Sequence, residues 1–208
     1  MARIATIGVY EFDSARFIQR LDAAGVTQVI DIRQRRGVRG SDYAWANSQR
    51  LQRLLAENRI AYEYHPELAP DTELRHLQYR EDARQGVGKR SRVHLSPAYI
   101  RTYTEEILDL VPLEPLVRRL PVHGIGALLC VEASAEACHR SLVARRLADR
   151  FGFEVVNLEA GEKSDGGQDL LDECGDLCER PAPEDLHGRA SLEHDQPVVP
   201  GASGSLDA

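Results

Sequence analysis

Five short apolar segments alternate with amphipathic segments along the first 160 residues, and this alternation constrains the fold more than any other feature. The apolar segments have the composition of buried strands, and they are ARIATIGV (2–9), TQVIDIR (27–33), IAYEYHP (60–66), GALLCVE (126–132) and FEVVNLEA (153–160). Strands separated by helices favour a parallel sheet that is covered on both faces. The sequence therefore predicts an α/β fold, a single domain with a mostly parallel five-stranded sheet flanked by helices.

The intervening segments show helical spacing of apolar residues and recognisable end signals. They are DSARFIQRLDAAG (13–25), ANSQRLQRLLAENR (46–59), DTELRHLQYREDAR (71–84), SPAYIRTYTEEILDLV (96–111), PLEPLVRRL (112–120) and CHRSLVARRLADRFG (138–152). Asp13 or Ser14 suits the N-cap of the first helix, and Ser96 followed by Pro97 suits the start of the fourth. We therefore expect five full helices and one short one.

The composition changes after residue 160. From Gly161 onward, 12 Asp and Glu residues stand against 3 Lys and Arg, whereas the first 160 residues carry a net charge of +2. Residues 181–208 are rich in Pro, Gly, Ser and acidic residues, a composition typical of disorder. The sequence predicts an α/β domain over residues 1–160 and a disordered acidic low-complexity tail over residues 161–208.

Four features of the sequence bear on compartment and partners. No apolar run approaches the roughly 18 residues of a membrane span, and the segment MARIATIGVYEFD lacks the pattern of a secretory signal. We expect a cytoplasmic protein with no membrane partner, whose four cysteines are free thiols or metal ligands rather than disulfides. The net charge of −7 does not exclude an anionic ligand, because the acidity belongs to the tail.

Reactive side chains gather where the fourth strand meets the last helix. The candidate catalytic residues there are Cys130, Glu132, Cys138 and His139, and the candidate substrate-binding residues are Arg140 and Ser141. If Ser134 or a neighbour caps the helix, Cys138 to Ser141 occupy its first turns, where the helix dipole favours an anion or a thiolate. The alternative is structural, with both cysteines as small packing residues and with His139 and Arg140 holding Glu132 and backbone carbonyls.

Two familiar thiol enzymes provide templates for this segment. Rhodanese-like sulfurtransferases share the outline of strand, Cys and helix, but their Cys loop contains Gly and Arg donors, whereas Cys130 is followed by VEASAEACHR. A tyrosine-phosphatase loop needs Arg six residues after the Cys, and that position is Glu136. The sulfurtransferase template remains a weak analogy, and the phosphatase template is disfavoured.

The segment DIRQRRGVRGSDYAWANSQR supplies a second group of candidates. The candidate substrate-binding residues there are Asp31, Arg33, Arg36, Arg39, Tyr43 and Asn47, with Arg35 and Trp45 among them in the sequence. Guanidinium forks bind phosphate or carboxylate, and aromatic rings can stack on a base. The equal alternative is a solvated basic loop in which Asp31 pairs internally with an arginine.

Three further sites were considered. His65, directly after the third strand, could serve as a general base if it faces the same cleft, although a His at a strand end is more often structural. The link GVGKRSRVH, with Lys89, Arg90 and Arg92, lacks the spacing of a P-loop and indicates a mobile basic flap. The tail residues Cys174, Cys178, His187 and His194 match no standard zinc finger. We therefore assign no metal site.

The segments VIDIR, RRGVRGSDYAWANSQRLQRLL, YEYHPELAP and LLCVEASAEACHRSLVARRLA carry a family resemblance. In these, the chain resembles a bacterial and archaeal family known as domain of unknown function 488. The resemblance covers about residues 3–160, and its most specific part is C-x-E-x5-C-H-R, from Cys130 to Arg140. Many members have Pro-x-Ser where this chain has QRRGVRG, which indicates a basic-loop subgroup. The resemblance implies a fold and a shared pocket and names no activity.

Three functions are consistent with these patterns. The first is an enzyme for an anionic small molecule or nucleotide, with Cys138 or Cys130 as a thiolate, His139 or His65 moving protons, and Arg33 and Arg140 holding the anion. The second is a module that binds nucleotide or nucleic acid through the basic loop, without thiol chemistry. The third is an interaction scaffold with a structural Cys/His/Arg cluster. The sequence identifies no cofactor and no oligomeric state.

Overall fold

In a computed structural model, residues 2–38, 40–88 and 91–161 are described. All five predicted strands are confirmed, each slightly shorter than the apolar segment that contains it: β1 (Arg3–Ile7), β2 (Val26–Asp31), β3 (Ala61–Tyr64), β4 (Ile125–Leu129) and β5 (Glu154–Leu158). They pair in parallel in the order β3-β2-β4-β1-β5. The described part of the chain is thus a single α/β domain, as the sequence predicts.

Each predicted helical segment contains a helix: α1 (Ser14–Ala23), α2 (Ser48–Glu57), α3 (Thr72–Arg84), α4 (Pro97–Tyr103), α5 (Glu114–Arg119) and α6 (Arg140–Phe151). Asp13 caps α1 by accepting from the Arg16 N–H (2.9 Å), and Ser96 caps α4 with Pro97 in its first turn. A π-helical turn, Thr104–Leu108, extends α4. In the described part of the chain, no helix has the length and apolar character to cross a membrane.

Two hydrophobic cores lie on opposite faces of the sheet, because successive side chains of a strand point to opposite sides. In β4, Leu128 packs into the core formed with α3 to α6, whereas Ala127 and Leu129 pack into the core formed with α1 and α2. Every residue of β4 is buried, as expected for a central strand of a parallel sheet. The sheet is therefore covered by helices on both faces.

A crevice forms where chain connections leave neighbouring strands toward opposite faces. The helix that follows β2 is α2, whose Leu51 and Leu55 pack into one core. The helix that follows β4 is α6, whose Val143 and Leu147 pack into the other. Since β2 and β4 are neighbours, their carboxyl ends flank such a crevice.

Some expectations lie outside the described residues. They concern Arg39, the Lys89 and Arg90 part of the basic flap, the disordered tail, and the tail residues Cys174, Cys178, His187 and His194. The described residues fall within one compact unit of the chain, Met1–Ser164. The domain boundary at residue 160 stays a prediction.

Candidate functional site

The loop after β4 is held tightly against the start of the chain. The Cys130 N–H donates to the Ile7 carbonyl (3.1 Å), and the Arg140 guanidinium donates to the carbonyls of Glu132 (2.6 Å) and Ala133 (2.7 Å). A side chain at Gly8 would collide with the Glu132 carbonyl, so only glycine permits this approach. These contacts fix the backbone on which the reactive side chains stand.

The last helix begins later than the sequence predicts. Cys138 to Ser141 were expected in its first turns, but α6 starts at Arg140 and Cys138 lies in the turn before it. The reason is local: Ser134 accepts from the Glu136 N–H (3.2 Å) in its own turn, and the Ser141 hydroxyl donates to the Cys138 carbonyl (2.8 Å). Ser141 therefore supports the backbone at Cys138.

Cys130, Cys138 and His139 form a compact group that we call the sulfur cluster. His139 Nδ1 lies 3.7 Å from the Cys130 sulfur and 3.8 Å from the Cys138 sulfur. His139 Nε2 lies 3.1 Å from the Ile32 carbonyl oxygen, which can only accept, so Nε2 carries a proton. In the neutral ring Nδ1 is then a lone pair that faces both sulfur atoms. All three side chains are at least 95% buried.

The environment separates the acidities of the two thiols. Although burial acts to raise the pKa of Cys138, the hydrogen bond from Cys130 and the positive charges of His139 and Arg140 hold it well below its usual range. Burial, with the Cys138 sulfur and the Glu132 carboxylate nearby, raises the pKa of Cys130 well above its usual range. Burial acts to lower the pKa of His139, but the Cys138 sulfur raises it overall. Cys138 is therefore the thiol that ionises first.

A buried ion-pair chain supports the cluster from the side of α3. The Glu132 carboxylate lies 3.7 Å from the Cys130 sulfur through Oε2 and accepts from Arg92 through Oε1 (3.2 Å). Arg92 also donates to Asp82 (2.8 Å) and to the Ala137 carbonyl (3.0 Å). Arg92 was expected in a mobile flap, but its side chain is 93% buried here. It orients Glu132 toward the cluster.

The sulfur cluster stands at the end of a cleft of about 90 Å³. The cleft is lined by residues from four separate parts of the chain: Arg33, Gln34, Arg35, Pro70, Arg75, Gln78, Tyr79, Arg92, Leu95, Tyr99, Cys130, Val131, Glu132, Ala137, Cys138 and His139. The structure thus brings part of the predicted basic loop and the predicted sulfur-containing segment to one cavity. Four arginines and one carboxylate among the lining residues make it electropositive.

Asp31 and Arg33, expected to bind substrate, are instead engaged with each other. Arg33 donates to both carboxylate oxygens of Asp31 (2.8 and 2.7 Å) and to the Ala46 carbonyl (3.0 Å), and both side chains are fully buried. Burial raises the pKa of Tyr62 to about 12, and its hydroxyl donates to Asp31 (2.7 Å). The internal pairing named in the sequence analysis as the alternative is present.

The other loop candidates lie away from the cleft. The guanidinium of Arg36 stacks 4.0 Å from the ring centre of Tyr64, and the Asn47 side chain accepts from the Val38 N–H (2.7 Å). Tyr43 packs edge-on against Tyr10, with ring centres 5.2 Å apart. None of the three loop candidates, Arg36, Tyr43 or Asn47, is among the residues that line the cleft. Their contacts shape the loop that presents Arg35.

His65, Arg140 and Ser141 also have structural partners. The two ring nitrogens of His65 lie 2.7 Å from Glu67 and 3.1 Å from Glu63, and the ring does not line the cleft. The reason is topological, since β3 is the edge strand beyond β2. Arg140 was expected to hold an anion, but its guanidinium is buried and used by backbone carbonyls. This matches the structural alternative for Arg140.

Residues of α3 and α4 complete the cleft, and the sequence analysis did not select them. They are Arg75, Gln78, Tyr79 and Tyr99. One signal was visible: Gln78 and Asp82 lie one helical turn apart on the buried side of α3, where apolar residues are the rule. The Gln78 amide donates to Asp82 (2.7 Å) and accepts from the Ser96 N–H (2.8 Å). Polar residues on an inner helix face can thus mark a site.

The sulfur cluster also has the composition of a metal-binding triad. One ligand atom from each of Cys130, Cys138 and His139 lies within 4.8 Å of the other two. The sequence patterns singled out only tail residues as possible metal ligands and led to no metal site, whereas the fold brings residues 130 and 138–139 together. Thiolate and imidazole are the ligands that zinc prefers in proteins.

Comparison with known proteins gives one match. No curated protein and no solved structure is similar to this chain. A family model described as "Domain of unknown function DUF488" matches residues 13–147, which span both the basic loop and the sulfur cluster. That match covers well over half of the 208 residues, so the chain belongs to the DUF488 family.

Proposed function

We propose that this protein is an enzyme that acts on a small anionic molecule bound in the cleft at the carboxyl ends of β2 and β4. The sulfur cluster forms the reactive end of the cleft. One observation carries the proposal: Arg35 and Arg75 line the same cavity as the sulfur cluster. In that cluster His139 Nδ1 lies 3.7 Å from one cysteine sulfur and 3.8 Å from the other. Reactive groups beside unneutralised cations in a concave site are the usual signature of a binding site.

Arg35 and Arg75 are the cations available to a ligand. Within residues 2–38, 40–88 and 91–161, Arg35 makes no hydrogen bond or ion pair. Arg75 donates to the Asp71 carbonyl (3.2 Å) and the Thr72 hydroxyl (3.1 Å), and no carboxylate of the described chain pairs with it. Arg33 and Arg92 are neutralised by Asp31, Asp82 and Glu132. Two guanidinium groups that pair with no carboxylate of the described chain suit one phosphate or carboxylate.

The size of the cleft favours a small anion over a nucleotide. Its volume of about 90 Å³ is well below the roughly 300–1,000 Å³ of pockets that enclose drug-sized ligands. A nucleotide would have to leave its base or sugar outside the cavity. We therefore expect a phosphorylated or carboxylated molecule of few atoms, or the anionic end of a larger one.

The cluster offers two routes to chemistry. In the first, the Cys138 thiolate attacks the carbonyl carbon or phosphorus atom of a small ester, the bond to the ester's alcohol oxygen breaks, and His139 Nδ1 gives its proton to the departing alcohol; water then hydrolyses the covalent intermediate on sulfur. In the second, the sulfur atoms hold a metal ion that polarises the ligand. Both routes need Cys138 and His139, so Cys138→Ser should abolish any turnover found with small phosphate or carboxylate esters. Full activity of the Cys130→Ser/Cys138→Ser variant would refute a role for sulfur.

Binding is tested by calorimetric titration of the full chain with inorganic phosphate, acetate and adenosine 5′-monophosphate. We expect phosphate to bind, with affinity about tenfold lower in Arg35→Gln and lower again in Arg35→Gln/Arg75→Gln, since a hydrogen bond to a charged group contributes about 1.5–3 kcal/mol. Arg118→Gln, an exposed arginine that does not line the cleft, is the control.

A single-stranded oligonucleotide tests the alternative of a nucleic-acid-binding module. Binding through many phosphate contacts weakens steeply as salt rises. Tight, salt-sensitive binding of the oligonucleotide, with no binding of phosphate or acetate, would contradict our proposal. Phosphate binding that depends on Arg35 would support it.

A further inference from the structure

We infer that the sulfur cluster is a zinc site in which Cys130, Cys138 and His139 are the protein ligands and the fourth coordination position opens into the cleft. The inference deepens the proposed function and rests on it only for the ligand that would reach that fourth position. Three protein ligands and one open position are the arrangement of catalytic zinc, whereas structural zinc has four.

The interatomic distances fit a tetrahedral metal. Zinc lies about 2.3 Å from a thiolate sulfur and about 2.0–2.1 Å from an imidazole nitrogen. At a tetrahedral angle these lengths place sulfur and nitrogen about 3.5–3.6 Å apart. The observed separations are 3.7 Å for Cys130 and 3.8 Å for Cys138. A metal needs only a shift of a few tenths of an ångström in side chains that the fold already brings together.

The near equality of these two distances favours a ligand role over a nucleophile with its base. A catalytic base pairs with one thiol at hydrogen-bond distance. Here His139 Nδ1 is almost equidistant from both sulfur atoms and is not committed to either one. A metal centre requires its nitrogen ligand at similar distances from both sulfur atoms, and His139 Nδ1 meets that requirement.

The surroundings of His139 resemble those of a metal-bound imidazole. A ligating histidine almost always donates its other ring N–H to a carbonyl or carboxylate, which fixes the ring and the tautomer. His139 Nε2 donates to the Ile32 carbonyl (3.1 Å), and this leaves Nδ1 as the ligating atom. The ring also packs against Tyr103, with ring centres 5.4 Å apart. The imidazole is thus held in one orientation.

Glu132 lies beside the cluster without completing it. Its Oε2 is 3.7 Å from the Cys130 sulfur, but its other oxygen is held by Arg92 (3.2 Å), and the close group of possible ligand atoms contains only the three cluster residues. The fourth position is therefore left to water or to an oxygen of the anionic ligand. All three ligands line the cleft, so that oxygen can approach through the cavity that Arg35 and Arg75 also line.

Cobalt substitution of the full 208-residue chain tests the inference. The protein is stripped with a chelator and titrated with Co²⁺, whose tetrahedral thiolate complexes absorb strongly in the visible and near-ultraviolet. We expect one equivalent to bind with thiolate-to-cobalt charge-transfer bands, and Zn²⁺ to displace it. His139→Gln and Cys138→Ser should weaken binding by more than the about 10–100-fold typical of losing an outer-shell partner.

The matched control is Cys174→Ser/Cys178→Ser, because the tail contains the chain's other two cysteines. This variant should keep the full cobalt spectrum. The inference is overturned if the unmodified chain gives no charge-transfer bands, or if the bands vanish in Cys174→Ser/Cys178→Ser and persist in Cys130→Ser/Cys138→Ser. The cobalt titration of the unmodified chain needs no variant. A variant that fails to fold therefore cannot shield the inference from that result.

Phosphate addition separates this inference from the proposed function. If metal-free protein binds phosphate through Arg35 but takes up no cobalt, the zinc site is refuted and the proposed ligand class stands. If cobalt binds through the cluster and phosphate neither binds nor alters its spectrum, the metal site stands and the proposed ligand class is refuted. A cobalt spectrum perturbed by phosphate, with the effect reduced in Arg35→Gln, supports both.

Discussion

The ends of the neighbouring strands β2 and β4 both carry buried polar side chains, but the two regions differ in how those side chains are satisfied. After β2, Arg33 donates to Asp31 and the Ala46 carbonyl at 2.7–3.0 Å. After β4, His139 Nδ1 lies 3.7 and 3.8 Å from the two sulfur atoms, and all three residues line a cleft. The first region is saturated with short hydrogen bonds, and the second is not.

This difference separates a structural role from a reactive one. A buried guanidinium whose three nitrogen atoms each donate to a protein atom, as in Arg33, has less left to offer a ligand. A buried nitrogen lone pair that faces two thiols at long range has a site for a proton or a metal ion. We expect substitutions at the β2 end to reduce stability and substitutions at the β4 cluster to remove function.

The largest expected effect is at Asp31. Asp31→Ala leaves the Arg33 guanidinium buried and unpaired, which should lower the free energy of unfolding by about 3–5 kcal/mol. Denaturant unfolding followed by circular dichroism measures it. The exposed Asp42→Ala is the control and should stay within about 0.5 kcal/mol. A loss below about 1 kcal/mol at Asp31 would show that the β2 end is not the saturated structural region described here.

Arg140 sharpens the comparison, because it lies near the β4 end but has the saturated character of the β2 end. Arg140→Met removes the donors to the Glu132 and Ala133 carbonyls and should lower the free energy of unfolding by about 2–3 kcal/mol. Arg145→Met, exposed on the same helix, is the control. An Arg140 variant as stable as the control, but unable to bind phosphate, would return Arg140 to the ligand-binding role expected from the sequence.

Substitution of Cys138 should have a small effect on stability and a large effect on function. Cys138→Ala removes one buried sulfur atom, with a cost comparable to that of a deleted methylene group, about 1 kcal/mol in the metal-free protein. The same change should abolish cobalt uptake and any turnover. Unfolding and uptake are measured on the same chelator-treated sample. A loss of stability as large as that of Asp31→Ala would make the cluster a structural feature.

Arg35 should show the smallest effect on stability. Its side chain is exposed, so Arg35→Gln should leave the free energy of unfolding within about 0.5 kcal/mol while weakening phosphate binding about tenfold. Denaturant unfolding curves measure the free energy of unfolding, and calorimetric titration measures the phosphate affinity. Unchanged phosphate affinity would remove Arg35 from the site and leave Arg75 as the only free guanidinium at the cleft within the described chain.

The architecture was largely readable from sequence because it follows from local patterns. Central strands of a parallel sheet are nearly continuous apolar runs, which made β1, β2 and β4 visible, and the apolar segments around the more exposed edge strands β3 and β5 were also recognisable. The presence of Arg35 and Cys130 in one cavity also followed from a general rule, because the carboxyl ends of parallel strands lie at the same edge of the sheet. The start of α6 was misplaced by two residues, because the hydrogen bond from Ser141 to the Cys138 carbonyl has no signature in spacing.

The roles within the site were harder to predict, because they depend on which partners each side chain finds. A sequence rich in arginine does not reveal that Arg33 is paired with Asp31 while Arg35 has no partner in the described chain. The contribution of α3 required the long-range packing of Arg75 and Gln78 against the strand ends. The triad of Cys130, Cys138 and His139 depends on a loop geometry that only the folded chain defines.

The most direct test of the account compares two alkylating agents of similar size, anionic iodoacetate and neutral iodoacetamide, on the chelator-treated native protein. Mass spectrometry reads the labelling rate at each cysteine, with Cys174 and Cys178 in their acidic segment as internal references. We predict that Cys138 reacts, and that its ratio of iodoacetate to iodoacetamide rates exceeds the reference ratio and falls in Arg35→Gln. Native Cys138 that resists both agents, or a ratio equal to that of the tail cysteines, would contradict an anion-binding cleft around reactive sulfur.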